Sequence, residues 1–158
     1  MRRSLLLALA VVAALTTASA AQVPGSPFGN CARCFLVSWV DVPADAASPT
    51  VSRAAGFMAA GWGFVCEGGA PADRVDVFYQ KDDGYFAPLT QPRGAMFYAL
   101  ERPDVAAAYE AYCPRVNDYT GWHLWVTNVP PVGTRQVMFI VWRGPHKETH
   151  YRTLSIVD

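Results

Sequence analysis

"RPDVAAAYEAYCP", residues 102–114, is the stretch on which the reading of the whole chain turns. Around it apolar and polar residues mostly alternate, the period-2 signature of strands with one buried face. Within it, Pro103 suits a first helical position and Asp104 favours a helix N-terminus. Ala106, Ala107 and Ala108 propagate a helix, and Pro114 ends it. About ten residues are too few for a helix to stand alone in water. The segment must be pinned, as a catalytic helix, a partner-binding helix or a clasp in a β protein. Cys113, bonded to Cys66, is the natural pin, with Val105, Tyr109 and Tyr112 packing beneath. The expectation is a clasp.

The N-terminus sets the chemistry of those cysteines. Arg2 and Arg3 precede the apolar run LLLALAVVAAL (5–15), and TTASAA follows, with Ala18-Ser19-Ala20 as a cleavage signature before Ala21. That is the order of a secretory signal peptide, residues 1–20. The run is shorter than the roughly 20 apolar residues of a membrane span. The mature chain is expected to be exported, to the periplasm or beyond it, with no membrane span. Cys31, Cys34, Cys66 and Cys113 then meet an oxidising compartment, where an even count reads as two disulfides. Three pairings are open. The expected one is Cys31–Cys34 with Cys66–Cys113, because a CxxC can close on itself and leaves the distant pair for each other. A thioredoxin-type site needs a βαβ setting that FGNCARCF lacks, and a zinc ribbon usually shows a second CxxC.

Without Arg2 and Arg3 the 13 basic residues fall to 11 against 13 acidic, a formal charge of −2. With no basic run, this excludes an electrostatic footprint for nucleic acid or an anionic membrane. Residues 21–34 read as a loose leader carrying the CxxC, and 35–158 as one domain. The domain's strands are FLVSWV (35–40), GFMAAGWGFVC (56–66), RVDVFYQ (74–80), AMFYAL (95–100), WHLWVT (122–127), RQVMFIVWR (135–143) and HYRTLSIV (150–157). Turn signals such as KDDG and GPHKE separate them. The fold expected is an all-β, two-sheet antiparallel sandwich of about seven strands with a short helical connection over about 103–112.

GWG (61–63), APADRVDVFY (70–79), RPDVAAAY (102–109), TGW (120–122) and GTRQVMFIV (133–141) occur in that order. Together they resemble a bacterial immunoglobulin-like (Ig-like) module of extracellular and surface proteins, over roughly residues 35–158. Three features depart from that pattern: Gly63 stands for the usual alanine, Trp122 for phenylalanine, and the 81–94 hairpin is longer. The resemblance implies an Ig-like sandwich, no catalytic residue and no cofactor. It also implies that 102–114 is a cross-sheet connection and that Val137, Phe139 and Val141 lie in the core.

The residues themselves offer few chemical alternatives. His146 and His150, with Glu148 as a third ligand, would share a face on a helix and could bind a metal. In HKETH (146–150) they follow a Gly-Pro turn, so a solvated hairpin is expected instead. His123 is expected to point outward from its strand. The acid pairs Asp82 with Asp83 and Asp76 with Glu101 would need to face one cleft, and the first reads as turn chemistry. No G-x-S-x-G elbow or P-loop occurs.

One face does stand out. In RQVMFIVWR, Val137, Phe139 and Val141 alternate with Met138, Ile140 and Trp142, so both faces of the strand are apolar. Phe78 from 74–80 and Tyr151 from the last strand are expected on the same outer side. These five residues form an apolar patch, a contact site unless the leader 21–34 or the 81–94 hairpin folds over it. The first functional reading is a secreted module for contact with an extracellular protein or with itself, through Phe78, Met138, Ile140, Trp142 and Tyr151. The second is polysaccharide binding through an outward Trp125, since Trp122, Leu124 and Val126 take the core side. The third is a metal-dependent enzyme around His146 and His150.

Overall fold

The structure, a computed structural model, describes residues 35–44, 48–89, 99–113 and 115–158. The strands are β1 (Leu36–Val42), β2 (Thr50–Ser52), β3 (Phe57–Val65), β4 (Arg74–Gln80), β5 (Phe86–Pro88), β6 (Gly121–Val126), β7 (Gly133–Arg143) and β8 (His146–Val157). Among the described residues one α-helix, α1 (Pro103–Tyr109), lies between β5 and β6, and a short 3-10 turn, Glu67–Gly69, follows β3. The strands form a three-stranded sheet, β1-β3-β6, and a five-stranded sheet, β2-β8-β7-β4-β5. The all-β two-sheet expectation holds at this level.

Four details differ from the sequence reading. The short strands β2 and β5 were not expected, and β2 runs parallel to β8, so the sandwich is not wholly antiparallel. β8 begins at His146, directly after the Gly144-Pro145 turn, not at 150. α1 is seven residues long and stops at Tyr109. Of the strand expected at 95–100, only Ala99 and Leu100 are described, and Leu100 bridges Gly121 of β6 in antiparallel fashion.

The main core sits between the sheets. Val75, Val77, Val137, Phe139, Val141 and Leu154 from the five-stranded sheet are fully buried, as the alternation of β4 and β7 requires. They meet Val40, Ala59, Trp122, Leu124 and Val126 from the three-stranded sheet. Large core side chains of this kind contribute about 1.5–3 kcal/mol each when fully buried. Gly61 of β3 belongs here because a Cβ would collide with the Trp39 carbonyl oxygen and the Trp122 ring.

A second, smaller core lies on the other side of the three-stranded sheet. Trp62 and Phe64 of β3 point outward, yet Phe64 is fully buried. Val105 and Tyr109 of α1 cover them, with Val37 and Val116 at the margin. The Tyr109 ring lies 5.4 Å from Phe64, edge-on, and 5.5 Å from Trp62. A disulfide between Cys66 and Cys113, 47 positions apart, closes one end of this cover. At the other end Arg102 reaches Asp41 of β1 at 2.6 Å and Asp104 at 2.8 Å. The segment 102–113 is thus a clasp: it links β5 to β6 in sequence and seals the outer face of the three-stranded sheet. Val105 and Tyr109 pack beneath it as expected. Tyr112 does not; it is 72% exposed, because the turn after α1 swings its ring away from the sheet.

The β1 edge is held by a buried arginine. Arg152 of β8 donates to the carbonyls of Pro43 at 3.1 Å, Val40 at 2.6 Å and Tyr151 at 2.8 Å. Its guanidinium also lies over the Trp39 ring, 5.0 Å from the centroid. An edge strand leaves backbone carbonyls that need donors, and Arg152 supplies them while tying β1 to the opposite sheet.

Candidate functional site

The outer face of the five-stranded sheet gathers the residues that the sequence singled out. β7 sets the rows. Phe78 pairs with Met138, and Met138 with Tyr151, so one apolar row crosses β4, β7 and β8. One step along the strands, Asp76, Ile140 and Thr149 form the next row. Beyond it lie Arg74, Trp142 and Lys147. Phe78, Met138, Ile140 and Trp142 are each half-buried by their neighbours, and Tyr151 is 47% exposed.

β5 adds a residue that sequence reasoning missed. Phe86 pairs with Gln80, takes the outer side, and its ring reaches within 6.1 Å of Tyr151 across the face. Phe86 thus reaches over part of the patch with its ring, while Pro88 beside Phe78 ends β5. The alternation Phe86-Ala87-Pro88 carried the signal, but three residues are too few to read as a strand.

Among the described outward strand residues, charge is confined to one end of this face. Arg74 and Lys147 lie over the Trp142 ring, at 4.4 Å and 5.4 Å, and the Trp142 Nε1–H donates to Asp76 Oδ2 at 2.8 Å. Arg74 also pairs with Asp76 at 3.2 Å. Cations at its ring thus make Trp142 part of a charged network. Past Asp76 the outward side chains are uncharged: Gln136 opposite Thr153, then Thr134 opposite Ser155.

The other candidates are scattered. Trp125 of β6 is 59% exposed and stands opposite Met58, itself 44% exposed, at the end of the three-stranded sheet that the clasp leaves open. Trp122, Leu124 and Val126 take the core side as expected. Each acid of the proposed pairs engages a different partner: Asp82 with Arg135, Asp83 with Lys81, Asp76 with Trp142, and Glu101 with the Tyr119 hydroxyl. The Lys81 hydrogen bond holds the Asp83 carboxyl below the ordinary carboxylate range. Cys31 and Cys34 lie outside the described residues.

The histidine segment forms an arrangement not foreseen. His146, Glu148 and His150 alternate on the inner side of β8, and Glu148 and His150 converge on Ser38 of β1. Ser38 Oγ donates to Glu148 Oε2 at 2.6 Å, and His150 Nε2 lies 2.8 Å from Ser38 Oγ. The trio forms a hydrogen-bonded tie between β1 and β8, with the Trp39 ring 5.7 Å from His150. Among the described residues no cluster of three or more His, Cys, Asp or Glu side chains could hold a metal ion. No described helix is long and apolar enough to cross a membrane.

No family model and no curated protein matches the chain. Among solved structures, the crystal structure of an engineered protein is similar at 14% identity with a TM-score of 0.39. The alignment covers 80% of this chain and 21% of that one, so this chain spans about a fifth of its length. A likeness this loose carries no argument.

Proposed function

We propose that this protein is an exported, non-catalytic, Ig-like module that makes protein contacts through the outer face of its five-stranded sheet. The observation that carries the reading is the distribution of charge on that face. Phe78, Met138, Ile140 and Tyr151 lie together, flanked by Thr and Gln side chains, with the charged residues at one end. Contact surfaces have this composition: apolar and aromatic residues with Met at the centre, few charges there, and a polar rim. The Ig-like assignment is supported by strand order. The first strand lies in one sheet and the next, β2, in the other, parallel to the last strand β8. Export is supported by the signal-peptide pattern of residues 1–20 and by the disulfide of Cys66 with Cys113.

The test is site-specific photo-crosslinking in cells that export the protein. A crosslinking amino acid in place of Ile140 should capture a protein, and the same group in place of Asn128, off this face, should not. Equal yields from both positions, or none from Ile140, would sink the reading.

A second reading, polysaccharide binding at Trp125, is favoured by that ring's exposure beside Met58. It expects a saturable shift in tryptophan fluorescence against cell-wall or plant polysaccharides, lost in Trp125→Ala. An unchanged spectrum throughout the panel removes it.

A further inference from the structure

We propose that the clasp disulfide exchanges with the CxxC that precedes β1. Cys34 attacks Cys66, so that Cys31 and Cys34 are the route by which an outside dithiol or disulfide opens and closes the Cys66–Cys113 bridge.

The backbone brings the two pairs together. Leu36 of β1 stands opposite Val65 of β3, and one step further the Cys66 N–H donates to the Phe35 carbonyl at 3.0 Å. Cys34 is joined directly to Phe35. Consecutive Cα atoms are ~3.8 Å apart, so covalent geometry added to that hydrogen bond keeps the Cα of Cys34 within about 11 Å of the Cα of Cys66. A disulfide needs Cα atoms roughly 4.4–6.8 Å apart, and a shift of at most about 4 Å brings them into that range. Phe35 is 48% exposed and precedes β1, so the shift falls on a residue outside the core.

Burial makes this route matter. Cys66 and Cys113 are each 1% exposed. Thiol–disulfide exchange requires the attacking thiolate to reach a sulfur, and a reagent in solution has no such access. A thiol tethered one residue from the hydrogen-bonded Phe35 stands at an effective concentration of about a millimolar or more. The nearer sulfur in the ladder is that of Cys66.

The second cysteine completes the transfer. In the reducing direction a small outside dithiol first leaves Cys31 and Cys34 as thiols. The Cys34 thiolate attacks Cys66 Sγ; the Cys34–Cys66 bond forms, the Cys66–Cys113 bond breaks, and Cys113 leaves as a thiolate that takes a proton from water. The Cys31 thiolate then attacks Cys34, forming Cys31–Cys34 and releasing Cys66 as a thiolate, which is protonated in turn. Two electrons have passed from the CxxC to the clasp. Run backwards from an oxidised CxxC, the same steps install the bridge. The consequence falls on the second core. The helix α1 is too short to stand alone, and of the two end fastenings over Trp62 and Phe64 an open bridge leaves only Arg102.

The experiment uses the purified mature protein, oxidised, in native buffer. Dithiothreitol is added, samples are quenched by alkylation, and peptide mass mapping follows each cysteine with time. The Cys66–Cys113 bridge should open at least about 10-fold more slowly in a Cys31→Ser/Cys34→Ser double variant than in wild type. A double variant that was merely less stable would open faster, so slower opening isolates the exchange. Equal rates overturn the proposal, because opening then depends on the clasp alone. Cys31→Ser by itself removes the second step. Cleared of adducts on Cys34 and kept without dithiothreitol, a fraction of it should be caught with Cys34 bonded to Cys66 and Cys113 alkylated. Cys34 alkylated throughout, beside an intact Cys66–Cys113 bridge, overturns the proposal. A bond from Cys34 to Cys113 overturns the choice of Cys66.

Discussion

Both sheets carry apolar side chains on the side away from the main core, and the chain treats the two sides differently. On the three-stranded sheet, Trp62 and Phe64 are closed over by α1, tied down by a disulfide at one end and by Arg102 at the other. On the five-stranded sheet, Phe78, Met138 and Ile140 lie beside one another, with Phe86 and Tyr151 on the same face and no described helix over them. The contrast teaches that an outward apolar residue has no single meaning. Phe64 is fully buried beneath the chain's own helix; Ile140 is half-buried on a sheet face that no described helix covers.

Mutations can break or sharpen that division. The largest effect is expected from Phe64→Ala, which should cost about 3–5 kcal/mol, as a cavity in any sealed core does. Chemical denaturation would measure it, and a cost below 1 kcal/mol would mean the clasp does not seal the face. Replacing Cys66 and Cys113 by serine frees a loop of 47 positions. Loop-closure entropy then sets a loss of about 4 kcal/mol, read as a lower denaturation midpoint. Arg102→Ala should cost about 1 kcal/mol, since its ion pairs are partly exposed and screened. The smallest effect belongs to the open side. Ile140→Lys should change stability by less than about 0.5 kcal/mol, read from the same denaturation curves.

Acid adds a finer test of the clasp. The hydrogen bond from Arg102 is the main reason the Asp104 carboxyl is lowered to about 2. A carboxylate depressed in the folded state stabilises above its unfolded pKa, near 3.9, and that benefit is lost as pH falls through the folded value. The stability gap between wild type and Arg102→Ala should therefore hold from pH 7 to about 4 and narrow below it. A gap that closes already at pH 6 would point to another group.

Much of this was legible in the sequence, for reasons that particular residues show. β4 and β7 alternate cleanly, so their inward residues, Val75, Val77, Val137, Phe139 and Val141, could be named. β2 and β5 are three residues each, too short for any period to register. The start of β8 was read as a turn because GPHKE carries turn signals and its inward residues, His146 and Glu148, are polar; Glu148 is bound to Ser38 across the sheets. The second core was half legible. The clasp and its disulfide were expected from α1 and the cysteine count. What it covers was not, although Trp62 and Phe64 alternate with Gly61, Gly63 and Val65 and make β3 apolar on both sides. The same argument had set Met138, Ile140 and Trp142 on one side of β7, and they pair along rows with Phe78, Asp76 and Arg74 of β4. Sequence shows that a strand has two apolar sides, but only packing shows which one the chain itself will cover.

The disulfide has a consequence for proteolysis. β4, β5 and α1 all lie between Cys66 and Cys113 in sequence. Among the described residues of that interval, the turn Lys81–Tyr85 carries a 74% exposed tyrosine and a lysine, both targets for cleavage. A cut there would yield two fragments that stay joined through the sulfurs. The nicked protein would keep its full mass until reduced, and its β4 would remain paired with β7 and β5's Phe86 would remain in one molecule with Tyr151.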